Sequence, residues 1–73
     1  MTISFSKKLY NLKAIQKSIE AYNGLGVFSI KKDKKNIKVE INDIDKDVKD
    51  IIKDEFCNYV FNEIKRNQWQ NQN

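Results

Sequence analysis

Histidine and proline are absent from the chain, cysteine, tryptophan and arginine occur once each, and glycine appears only twice in 73 residues. Each shortage removes a class of protein. Without histidine the commonest neutral-pH general base and metal ligand is missing. Cys57 alone closes no internal disulfide and builds no thiolate metal site, and mid-helix, with no histidine to activate it, it is a poor nucleophile. Gly24-Leu25-Gly26 lacks the further glycine and the following helix of a phosphate-binding loop. Nowhere do apolar residues persist for the roughly 18 positions a membrane span requires. The segment Met1 to Lys7 lacks the apolar stretch of a secretory signal, so the cytoplasm is the expected address. The expectation is a non-enzymatic protein with no catalytic residues, cofactor or metal.

What the chain does have is charge, unevenly placed. Residues 1 to 38 carry nine lysines against Glu20 and Asp33, a balance of +7, while residues 39 to 73 carry five cations and eight carboxylates, a balance of −3. Such halves attract each other or offer a basic face to an acidic partner. A domain this small buries only about 60% of its unfolded surface, which makes a second copy a useful addition to its core.

Ile3, Phe5 and Leu9 stand at odd positions among serines and lysines, so residues 2 to 9 read as a half-buried strand. Asn11 fits a helix N-cap, and Leu12, Ile15, Ile19 and Tyr22 follow on one helical face. The helix is expected to end at Asn23-Gly24, with Gly24 in the left-handed conformation. Val27 to Lys32 and Ile37 to Asn42 read as two strands joined by the turn Asp33-Lys34-Lys35-Asn36. Asp43, Asp45 and Asp47 complement a helix N-terminus better than they match a calcium loop, which would need a closing glycine and a distal glutamate. Val48, Ile51, Ile52, Phe56, Tyr59, Val60 and Ile64 then recur at helical spacing through about five turns. The helix fades at Asn67, leaving residues 67 to 73 as a polar, frayed tail beyond a single domain of residues 1 to 66.

The order βαββα admits few compact arrangements. Two strands joined by a helical crossover lie parallel with a right-handed connection, and the hairpin partner of the second slots between them. The expected architecture is α+β: a three-stranded sheet of order 1-3-2 with both helices on one face, ferredoxin-like without its last strand. Phe5, Leu9, Phe28, Ile30, Ile37, Val39 and Ile41 are expected to meet Leu12, Ile15, Ile19, Val48, Ile52, Phe56 and Val60. The first strand is left as an edge, a docking line for an extended peptide or a second subunit. Candidate contacts are Ile3, Phe5 and Lys7 on that strand, with Phe61 and Arg66 on the last helix. Phe61 falls about 100° from Val60, off the apolar stripe. Glu55 and Glu63 read as a solvated helix face.

A second set of candidates is Lys31, Lys32, Lys34, Lys35 and Lys38, since lysines on a hairpin can track phosphates. Arg66 is the one arginine, so bidentate base readout is scarce, and Phe28 is assigned to the core instead of to base stacking. A solvated hairpin tip is the plain reading, and a small basic nucleic-acid-binding regulator is the alternative function.

Tyr10 to Tyr22, the strand around Phe28, and Glu55-Phe56-Cys57-Asn58-Tyr59 together resemble the small D-type (HxsD-like) proteins of His-Xaa-Ser peptide-maturation systems, over roughly residues 3 to 66. Those proteins share a tyrosine-started helix and a late phenylalanine-x-asparagine helix. Tyr59 stands where they often carry glutamate, while an arginine near the helix end is kept as Arg66. The resemblance implies a non-catalytic accessory that binds a ribosomally made precursor peptide, its radical S-adenosylmethionine maturase, or both. No catalytic residues carry over. A homodimer paired through the first strand is a further expectation.

Overall fold

The computed structural model describes the backbone of residues 1 to 71 and the side chains of residues 1 to 66. The elements are β1 (Thr2–Ser6), α1 (Leu12–Tyr22), a single 3-10 turn (Asn23–Leu25), β2 (Val27–Lys32), β3 (Asn36–Asn42) and α2 (Ile52–Asn71). The sheet order is β1-β3-β2, with β3 antiparallel to both neighbours. β1 and β2 are therefore parallel, as the crossover through α1 requires. Ile3, Phe5, Ile37, Val39 and Ile41 project from one sheet face onto Ile15, Ile52, Phe56 and Val60, so both helices cover the same side. This is the expected α+β arrangement, ferredoxin-like without its last strand.

Phe56 is the centre of the core. It is fully buried and stands edge-on to Phe5 at 6.2 Å and to Tyr22 at 5.7 Å, with Phe28 tilted against it at 5.4 Å. Such aromatic pairs add to the burial of ring area, because the positive edge of one ring meets the negative face of the next. Tyr22 extends the set to Tyr59 at 5.5 Å and donates its hydroxyl to the Glu55 carbonyl at 3.2 Å, which ties the end of α1 to α2. Burial, and then the nearby charges of Glu55 and Tyr59, push the Tyr22 phenol up from its ordinary value.

Asn11 is the N-cap of α1. Its Oδ1 accepts the Ala14 N–H at 2.7 Å, one of the donors a helix start leaves free. The fully buried α1 residues are Ala14, Ile15 and Ser18, and the Ser18 hydroxyl returns to the Ala14 carbonyl at 2.8 Å. Small side chains there let α1 approach α2, a role the apolar spacing of Leu12, Ile19 and Tyr22 does not disclose.

Several expectations need correction. β1 ends at Ser6, whose carbonyl accepts both the Leu9 and Tyr10 N–H, so the chain turns before Leu9. Leu9 is 72% exposed, and Tyr10 takes its place against Phe5 at 5.0 Å. Gly24 does not adopt a left-handed conformation; it lies in the 3-10 turn, and Asp43 is the residue with positive φ, 51°. α2 begins at Ile52, later than the aspartate cluster implies, because residues 46 to 51 form turns in which Asp45 Oδ1 accepts the Asp47 N–H at 2.9 Å. Asp54 and Glu55 are the acids of its first turn. α2 continues past Asn67 to Asn71, while the side chains of residues 67 to 73, Trp69 among them, and the backbone of 72 and 73 lie outside the described residues. Among the described residues, no helix is long and apolar enough to cross a membrane.

Candidate functional site

Antiparallel pairing fixes which backbone groups of an edge strand stay free, because paired residues that exchange both bonds alternate along the ladder. Met1 and Ile41 exchange both, at 3.1 and 2.8 Å, and the Lys7 N–H reaches the Lys35 carbonyl at 2.9 Å. The odd residues of β1 thus point their N–H and C=O at β3, and those of Thr2 and Ser4, with the Ser6 N–H, point outward. β1 is a short open edge with neither proline nor a positive-φ residue to disrupt it.

Ile3 and Phe5 are 5% and 3% exposed. They are core residues, as expected for Phe5, and their side chains are sealed beneath the helices, away from the partner contact the sequence also suggests. Lys7 is exposed at the end of the edge. On α2, Tyr59 faces α1 through Tyr22. At 100° per residue, Cys57 and Phe61 fall on the opposite flank, with Ile64 between them and the core. That flank overhangs β1, where a ferredoxin-like sheet holds its fourth strand. Phe61 is 47% exposed with Lys65 Nζ 4.8 Å from its ring centre, and Cys57 and Ile64 are half-buried. Burial pushes the Cys57 thiol up, with Asp54 reinforcing and Lys53 opposing the shift, so it is less a nucleophile than an ordinary cysteine.

Arg66 lies elsewhere. Five residues from Phe61, it projects about 140° away around the helix, toward the side facing α1, and its Nη1 is 3.4 Å from Glu63 Oε1. Glu63 is only 5% exposed, so it is not part of a solvated face. The two α2 candidates are not brought together.

The lysines are. The Lys7 to Lys35 hydrogen bond sets Lys7 and Lys8 beside the hairpin turn, and Ser6, Lys7, Lys8, Lys34, Lys35 and Asn36 line one shallow concavity. Lys31 and Lys38 are directly paired across the hairpin. The carboxylate there, Asp33, accepts the Lys35 and Asn36 N–H groups at 2.9 and 2.7 Å and stands 4.0 Å from Lys38 Nζ. Those backbone bonds, chiefly, hold its carboxyl below the usual value. The sequence points to the hairpin lysines but not to Lys8, Ser6 and Asn36, which only the β1 to β3 register joins to them. The sheet face opposite the helices carries Thr2, Ser4, Ser29, Lys31, Lys38 and Glu40 and no aromatic ring. Base stacking has no platform there.

The fold, the open β1 edge and the lysine-lined concavity define a small α+β domain with an unfilled strand position. Comparison with protein-family models, with curated proteins and with solved structures finds no match.

Proposed function

We propose that the chain is a non-catalytic accessory protein that accepts an extended segment of a partner as a fourth strand along β1. The observation that carries this reading is the outward-pointing backbone of Thr2 and Ser4 beneath the apolar flank of Cys57, Phe61 and Ile64. Backbone bonds supply affinity, and alternate side chains of the added strand meet that flank, which selects sequence. Lys7 ends the edge and favours an acidic residue in the incoming segment. The resemblance to the small D-type proteins of His-Xaa-Ser systems supplies the partner: a precursor peptide, its radical S-adenosylmethionine maturase, or both.

The reading predicts a precursor peptide and a maturase encoded beside this chain, and isothermal titration against them tests it. The wild type binds at least one of them. Ser4→Pro removes an outward donor and leaves the ladder to β3 intact, as edge positions tolerate proline, so binding is lost while the melting temperature is largely kept. Absence of heat with either partner sinks the proposal.

A second reading has its own observation: Lys7 and Lys8 joined to the hairpin lysines around one concavity. It makes the chain a small nucleic-acid-binding regulator that contacts phosphates without reading bases. A labelled duplex or single strand that fails to shift at low salt removes it.

A further inference from the structure

The sheet has a second open edge, and it differs from the first. The Asp33 N–H bonds to the Asn36 carbonyl at 3.0 Å, so the odd residues of β2 face β3 and the N–H and C=O groups of Phe28, Ile30 and Lys32 point outward. On β1 the inward side chains are sealed, whereas Phe28 and Ile30 are only half-buried, as is Ile19 on α1. With Gln16 and Glu20 they line a groove between α1 and the β2 edge. Unpaired strand groups run along its floor, with apolar surface above them.

The groove is electrically polar along its length. Glu20 borders the Phe28 end, and Lys32 closes the hairpin end. We propose that its occupant is a second copy of this chain, bound two-fold symmetrically so that β2 pairs with β2 antiparallel about Ile30. In that register Ile30 exchanges both bonds with its symmetry mate, and Phe28 does the same with Lys32 of the other copy. All the residues involved are those whose groups point outward. The two-fold also sets Lys32 of each copy beside Glu20 of the other, whereas parallel pairing lays lysine along lysine. Like charges directly opposite destabilise strand pairs and opposite charges favour them, so charge selects this register. The half-exposed rings and aliphatic groups of Ile19, Phe28 and Ile30 are covered in the process, supplementing a core that is small for a free-standing domain. The product is a continuous six-stranded sheet with a β1 edge still open at each end.

Sedimentation equilibrium on the full chain tests this, with circular dichroism melts to verify that each variant is folded. The wild type dimerises with concentration. E20K and K32E each weaken association at least about tenfold, since each sets like charges face to face twice in the symmetric pair. The double variant E20K/K32E restores it, because the pair is swapped and not removed. A wild type that stays monomeric up to about 1 mM, the limit of weak association, overturns the proposal. So does a dimer indifferent to both single reversals, which would place the interface elsewhere, the β1 edge included.

Discussion

The backbone N–H of Lys7 donates to the carbonyl of Lys35 at 2.9 Å, across 28 residues of sequence. One ladder bond thus turns two separate lysine pairs, Lys7-Lys8 and Lys34-Lys35, into a single basic end. If that end meets a polyanion, binding weakens steeply with salt, because each neutralised phosphate releases counterions. Charge reversal at Lys8 is expected to flatten the salt slope as much as reversal at Lys34. Equilibrium binding to a labelled oligonucleotide at several salt concentrations checks this; a slope changed only by the hairpin substitution contradicts it.

The two glycines differ in what they allow. A Cβ on Gly24 meets nothing within 4 Å, whereas one on Gly26 comes 3.0 Å from Ile41 Cγ2 and 3.2 Å from the Asn42 carbonyl. Gly24→Ala is expected to stabilise by about 0.4–1 kcal/mol through the unfolded chain. Gly26→Ala destabilises, since Ile41 is in the packed core and backbone is the second obstacle. Urea denaturation of both variants measures the contrast.

Asn11→Ala removes the acceptor that caps α1 and costs about 1 kcal/mol. In a chain of this size that lowers the melting temperature by about 4–8 °C. Asn11→Asp keeps an acceptor and recovers most of the loss, which a thermal melt reads directly.

Asp33 gives a pH dependence with a definite sign. Its folded-state value lies below its unfolded one, so its contribution is present above the ordinary aspartate range and fades as pH falls through the folded value. Asp33→Asn retains the side-chain acceptor for the turn but not the charge, and its stability profile is flatter below about pH 4. Denaturant midpoints measured against pH for wild type and variant test this.

Phe56→Ala empties the middle of the aromatic cluster and costs about 3–5 kcal/mol. A domain holds only about 5–15 kcal/mol in total, so a large share of its reserve is gone. Phe56→Leu loses the edge-on contacts to Phe5 and Tyr22 but less volume, and falls between the two in urea midpoint.

The architecture was legible because local signals agreed with one another. Asn11 announced a cap, and the alternation of Ile37, Val39 and Ile41 announced a strand with one buried face. The βαββα order then left little choice of topology. Leu9 departs from the alternation because that pattern holds only while the strand continues, and the Ser6 carbonyl ends it by accepting two amides. Gly26 matters because of the approach of Ile41, a contact between distant segments that glycine spacing does not encode. Of the candidate sites, the open β1 edge followed from strand order. Neither the divergence of Phe61 from Arg66 nor the groove between α1 and β2 could be read without helix phase and sheet register.

Because β3 lies between two outer strands, amide hydrogen exchange on this sheet should keep a two-beat record. Every β3 amide is held, Ile3 and Phe5 exchange slowly while Thr2 and Ser4 exchange fast, and on β2 the slow set is Val27, Ser29 and Lys31. A strand arriving on β1 silences Thr2 and Ser4, and one arriving on β2 silences Phe28, Ile30 and Lys32. The two edges thus report their occupants separately, residue by residue, within a single spectrum.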